Sequence, residues 1–366
     1  MKRPQRLLAL AFLSSTYLAC GDDDDSHKPH PGVTVVDSAG LKQLADSTPT
    51  SLEYLAIGGP DFTVTEVVLP GVVTIEGNLE IIASPALTRV SLPNLQRIGS
   101  RLFITHNDLL EELELPELRE ADQVFVSQND ALGSLQLPNL TTAAWLSVED
   151  NAGLQAILAE QLTTTTEDNA LTLSVEDNWS LQDVSLPSVT KTDLLSVKGN
   201  HPLIELDLTS LVSVDSLAWL ELEAVRSLAL PALERCAELT LSAPGLRDLD
   251  LTALRVINTL WLESSSLQTL NLPSLEEGPF LHIHVPGLRQ FAAPQLTTVD
   301  TLTIRWDWLE YVDLPVLTES CTELPPIPDC AAEVMLPNCT DLQVIEGCTC
   351  SAEPNLQLAE CPAPQG

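Results

Sequence analysis

The side chains whose types and spacing could do chemistry fall into separate groups. An aromatic and acidic set recurs roughly once per twenty residues: Phe103, Phe125, Trp145, Glu149, Glu176, Trp219, Glu221, Glu223, Trp261 and Glu263. Exposed rings beside carboxylates suit a sugar ring or a basic partner. His282 and His284 form a His-x-His pair with Glu263 one interval earlier, a candidate cation set that Arg305 opposes one interval later. Cys321, Cys330, Cys339, Cys348, Cys350 and Cys361 crowd the last 46 residues, and Cys20 stands near the start. No Gly-x-Ser-x-Gly, phosphate loop or zinc-protease motif occurs. The expectation is a chain that catalyses nothing and needs no cofactor.

The elements that must position these residues are read from a repeat. Leu-Pro-x-Leu occurs at Leu92, Leu115, Leu137, Leu230, Leu272 and Leu314, with weaker copies at Ala159, Leu186, Leu208, Leu251 and Ala293. Successive copies lie 21 to 23 residues apart, except for one step of 27 caused by an insertion at Thr163 to Asp168. A fixed period in the twenties marks a solenoid, and insertions map to a loop on one face. Each unit also carries apolar residues two apart, such as Leu102/Ile104, Val124/Val126, Leu220/Leu222 and Leu281/Ile283. That alternation makes a short strand with one buried face. A third apolar slot holds Ile98, Val214, Cys236, Ile257 and Val299. No coil buries its own face, so about eleven stacked coils form an all-β solenoid of about 50 Å at the spacing of parallel strands.

With the strand aliphatics inward, the intervening residues face solvent. The predicted stripe runs Phe103, Phe125, Ser147, Ser174, Ser196, Glu221, Thr240, Trp261, His282 and Thr303. Beside it run Glu149, Glu176, Lys198, Glu223, Glu263, His284 and Arg305, with Trp145 and Trp219 in a flanking slot. Strand propensity also favours aromatics at such positions without any ligand. Asn107, Asn129, Asn151, Asn178 and Asn200 share one slot in five consecutive units, the pattern of an inward asparagine ladder at a corner. Cys236 reads as a small buried hydrophobe.

The termini read differently. Residues 1–19 have a basic start at Lys2, Arg3 and Arg6 and an apolar stretch from Leu7 to Ala19. That stretch is short of the ~20 residues of a membrane span and reads as a signal peptide. Tyr17-Leu18-Ala19-Cys20-Gly21 resembles a lipobox with Leu18 displaced by one place. The resemblance implies lipidation at Cys20 and export to the outer membrane or cell surface of a Gram-negative bacterium. Residues 20–32 then form an acidic tether, with Asp22 to Asp25 and no apolar positions to bury. Ser38 to Asp46 predicts a short capping helix with Ser38 as N-cap. In residues 318–366 an even set of cysteines in an exported chain implies three disulfides closing the last coil. Zinc is the alternative for that set.

The unit from Leu-Pro-x-Leu to Leu-x-Ile-x-x-Asn resembles the receptor L-domain repeat, best at Ile75 to Ile81 and Leu95 to Asn107. That family includes the ligand-binding lobes of insulin- and growth-factor-type receptors and related fungal cell-wall proteins. The resemblance covers residues 33–317 and implies a right-handed β-helix-like leucine-rich solenoid with a binding role. Two features depart from it: the glycine before the strand, present as Gly77, is lost in most later units, and the array runs longer than the family's lobes.

Composition restricts the partners. With 17 Lys+Arg against 52 Asp+Glu, the formal charge is -35, which repels nucleic acid and bare anionic lipid. The sequence therefore predicts a monomer on a lipid anchor that recognises a protein or glycan. Its rivals are a structural envelope protein without a specific ligand and a carbohydrate-active β-helix enzyme.

Overall fold

The computed structural model describes residues 32–163, 170–305, 311–314 and 333–335. The expected signal peptide, Cys20, the expected tether up to residue 31, insertion residues 164–168 and all six C-terminal cysteines lie outside them.

Each repeated phrase is a corner. In Leu92-Pro93-Asn94-Leu95 the Leu95 amide donates to the Leu92 carbonyl at 3.2 Å. This is a β-turn with proline at its second position, where a fixed φ is favourable and the missing N–H has no role. Leu118 to Leu115 (3.2 Å), Leu140 to Leu137 (3.1 Å) and Leu233 to Leu230 (3.1 Å) repeat the bond. The leucines at both ends of these turns are buried. Three copies lack proline, and two of them read Asp207-Leu208-Thr209 and Asp250-Leu251-Thr252. There the carboxylate accepts the threonine amide at 3.1 and 3.0 Å, fixing the same turn through a hydrogen bond.

The second corner is Asn-x-x-Leu. Leu110 donates to the Asn107 carbonyl at 2.9 Å and Leu132 to that of Asn129 at 3.1 Å. The residue before each asparagine is left-handed: His106 (φ 58°), Gln128 (54°), Asp150 (56°), Asp177 (55°) and Gly199 (68°). That reversal turns the next side chain inward, and all five asparagines are buried. After Asn200 both features disappear together. Leu222, Ala243, Ser264 and Val285 fill the slot, and their buried side chains need no such reversal. Their corner amides bond directly to the next coil, as Leu222 to Ser242 and Ala243 to Glu263, both at 2.8 Å. Dropping the left-handed residue shortens the coil, and the step between proline slots falls to 21 in the last coils.

Between corners the chain is extended. The long side stacks thirteen strands: Val33–Val35, Leu55–Gly58, Leu79–Ile82, Arg97–Thr105, Glu120–Ser127, Trp145–Glu149, Leu171–Glu176, Lys191–Lys198, Ser213–Glu221, Arg235–Ser242, Val256–Glu263, Phe280–His284 and Thr301–Arg305. Every pairing is parallel and joins one coil to the next. The whole is an all-β parallel solenoid of about 12 turns with very little helix. The opposite side carries three-residue strands in separate short sheets, among them Glu66–Val68, Arg89–Ser91 and Glu112–Glu114, and Ser134–Gln136 through Glu205–Asp207. The last described strand, Glu333–Met335, pairs with Tyr311–Asp313, within the segment expected to be cysteine-rich.

One buried cluster runs from Val35 to Leu314. Leu102, Val124, Leu146, Leu173 and Leu195 stack in register along it. Cys236 is 2% exposed and pairs with Val214 and Ile257 as expected. Burial holds its thiol up at about 12, with Glu238 adding to the rise.

Two expectations are corrected. The strand Ser213–Glu221 faces inward through Ala218 and Leu220, not Leu220 and Leu222. Between Val214 and Leu217 lie two residues where the preceding strand has one, and this bulge shifts the register. The helix Ser38–Ser47 is capped by Asp37, not Ser38: its carboxylate accepts the Gly40 amide at 2.8 Å. Leu44 of this helix is buried in the core beside the first strand.

Candidate functional site

The long-strand face presents two outward rows. Strand register places Phe103, Phe125, Ser147, Ser174, Ser196, Trp219, Thr240, Trp261, His282 and Thr303 in the first. The second holds Glu149, Glu176, Lys198, Glu221, Ser242, Glu263 and His284. The bulge moves Trp219 from the flanking slot into the first row and Glu221 into the second. Glu223 leaves the face for the corner, where its carboxylate meets His201 Nδ1 at 3.0 Å. Trp145 stays in the flanking slot, paired with Gln123 and Thr172.

The first row is not exposed throughout. Ser147, Ser174 and Ser196 are buried, because neighbouring glutamates fold over them. Ser174 Oγ donates to Glu149 at 3.3 Å and to Glu176 at 3.1 Å, and Ser196 Oγ donates to Glu176 at 2.7 Å. Lys198 Nζ closes the group at 3.2 Å from the other Glu176 oxygen. Glu149 and Glu176 are thus held by hydroxyls and an ammonium in the middle of the face.

Aromatic rings flank this polar centre. On one side Phe103 and Phe125 meet edge to face at 6.0 Å, and Phe125 meets Trp145 at 5.7 Å. On the other stand Trp219 and Trp261, whose indole N–H groups donate to Glu221 at 3.0 Å and Glu263 at 3.1 Å. Trp145, Trp219 and Trp261 are 40%, 40% and 45% exposed. No protein-family model matches this chain, and no curated protein matches it in sequence. Its chemistry is therefore read from these rows alone.

The histidines take separate partners. His282 lies against Trp261 with ring centroids 5.1 Å apart, while His284 Nδ1 is 3.9 Å from Glu263. Among the described residues no group of three metal-ligating side chains forms.

Sequence reasoning missed three exposed rings, Tyr54, Phe280 and Trp179. Phe280 occupies the flanking slot beside Thr259. Trp179 sits one residue past Asn178 at the corner, its ring 5.3 Å from His201. Its position after the ladder asparagine was the available signal.

The opposite side is charged rather than aromatic. The Glu114 carboxyl lies below the usual range, held by hydrogen bonds from Ser91 and Arg89. Asp183 is raised by partial burial and by Glu205 and Asp207. A polar groove of about 860 Å³ opens where the short sheets break, between Asp248–Asp250 and Thr269–Asn271. Arg247, Asp248, Asp250 and Gln268 line it, with no aromatic ring among the lining residues.

Proposed function

We propose that this chain is a non-enzymatic cell-surface lipoprotein that recognises a protein or glycan through its long-strand face. The observation that carries the reading is the pair of half-exposed aromatic groups flanking the serine-glutamate centre on one rigid sheet. Aromatic anchors of this kind supply large contact area at little entropic cost. A stacked parallel sheet holds them in register, so little ordering free energy is lost on binding.

The remaining parts follow from the sequence. Cys20 carries the lipid, residues 20–32 space the solenoid from the outer membrane, and the protein works as a monomer. The helix Ser38–Ser47 covers the first coil, and disulfides among the six C-terminal cysteines close the last. The coils wind to the right, the usual sense for parallel crossovers, in keeping with the resemblance to receptor L-domains.

The test is a glycan and surface-protein binding array probed with the full chain and with a Trp145→Ala/Trp219→Ala/Trp261→Ala variant. Binding that vanishes in the variant is the expected result. A well-folded wild-type chain that binds nothing would leave a structural envelope role.

A further inference from the structure

Trp219, Thr240 and Trp261 are consecutive in the first row, and Glu221, Ser242 and Glu263 are consecutive in the second. The two Trp-x-Glu units are built alike: each indole N–H donates to the glutamate two residues on. The strand between them presents Thr240 and Ser242 in these two rows, with Glu238 exposed in the flanking slot. Two strand spacings separate the rings by about 10 Å.

The outer flanks of this pair are already occupied. Lys198, on the strand before Trp219, places Nζ over that ring at 5.2 Å from its centroid. His282, on the strand after Trp261, lies against the other ring. Between the two rings the first row holds Thr240, which is half-buried. A cation seated midway would lie about 5 Å from each centroid, inside the ~6 Å reach of a cation–π contact. Glu221 and Glu263 edge the gap with one carboxylate each, on a chain of net charge -35. Charge and ring geometry therefore select the same ligand.

We infer that Trp219, Trp261, Glu221 and Glu263 form a slot for a lysine or arginine side chain of a basic protein segment. This rests on the proposal that the long-strand face is the recognition face, and it names the partner's chemistry. A neutral sugar ring would stack on either indole but would leave both carboxylates without a countercharge.

The test measures binding of short oligolysine and oligoarginine peptides, with a matched oligoglutamine peptide, to the full chain by calorimetry at physiological ionic strength. General attraction to an acidic protein is the competing explanation, and Trp→Ala leaves the net charge unchanged. The Trp219→Ala/Trp261→Ala variant is expected to bind basic peptide about tenfold more weakly, the effect of losing about 1.4 kcal/mol of cation–π attraction. Glu221→Gln/Glu263→Gln is expected to weaken binding more than Glu66→Gln/Glu205→Gln, which removes equal charge from the opposite side. Thermal midpoints check folding, and the single variants Trp219→Leu and Trp261→Leu serve if the double variant unfolds. Basic-peptide binding unaffected by the tryptophans overturns the slot. Trp-dependent binding of a glycan, with no binding of basic peptide, overturns the slot and leaves the recognition face standing. Failure of every peptide, glycan and surface protein to bind overturns both.

Discussion

Asn151 Nδ2 donates to Asn178 Oδ1 at 3.1 Å, closely matching the 3.0 Å contact from Asn107 to Asn129, although 27 residues rather than 22 separate the pair. The insertion is absorbed at another corner, and the ladder passes it without a break. Each asparagine reaches backward as well as forward: Asn151 Nδ2 also bonds the Val126 carbonyl at 2.9 Å, and its Oδ1 accepts the Asn129 amide at 3.1 Å.

Removing one rung therefore strands buried groups on both neighbours. Asn151→Ala is expected to destabilise by about 1–3 kcal/mol per unpaired group. Asn151→Asp should cost more, since it keeps the acceptor, loses the donors and buries a charge. Urea unfolding checks both, with hydrogen exchange at the Asn129 amide, which bonds Asn151 Oδ1, reporting whether the loss is local. Exchange unchanged there in Asn151→Ala would deny the ladder its role.

Gly199 takes the left-handed position at φ 68°, and a Cβ there would lie 2.2 Å from Asp177 Oδ1. Gly199→Ala should cost about 1–2 kcal/mol, the ordinary penalty for an L-residue in that region. Gly199→Asn should cost less, because asparagine tolerates the conformation. Comparing the two denaturation midpoints separates backbone strain from loss of space.

The Cys236 thiol titrates at about 12 in the fold against an ordinary 9.0. Between those values the unfolded chain releases a proton that the folded chain keeps. Stability from this group is complete below pH 9 and falls toward pH 12, by about 1.4 kcal/mol per unit. Cys236→Val matches its neighbour Val214 and should flatten this part of the alkaline profile. Alkylation of the native thiol should be negligible until denaturant is added.

Asp183 is partly buried and pairs in register with Glu205, with Asp207 nearby; burial first, and then the two carboxylates, raise its folded pKa. A raised carboxyl contributes stability that is present below its unfolded pKa and lost as pH rises through the folded one. Asp183→Asn should stabilise at pH 7 by about 0.2–1 kcal/mol, the range for opposed like charges on a sheet. The gain should disappear at pH 3.

The coil was legible because its signals are local. Leu-Pro-x-Leu states a turn and two buried positions within four residues, and Leu102/Ile104 states which side of a strand is buried. The register of Ser213–Glu221 was not legible, because Ala218, Leu220 and Leu222 share one alternation and offer two apolar pairs that differ by two residues. Only pairing with Leu194 and Leu195 decides between them. The buried serines were hidden for a related reason. Ser174 is covered by Glu149 from a neighbouring coil, and no single repeat contains that contact.

The shortening after Asn200 has a mechanical consequence. From Asn107 to Asn200 each coil is riveted to the next by side-chain amides, and peeling one away breaks a full set of side-chain hydrogen bonds at once. Beyond Asn200 the same edge is held by backbone bonds and apolar contact, as at Leu222 and Ala243, with the hydroxyls of Ser264 and Ser265 bonding carbonyls of the preceding coil. The rod is thus a fastener with two grades of stitching. Pulled from both ends, it should part first behind Leu222, leaving the asparagine-stitched half wound.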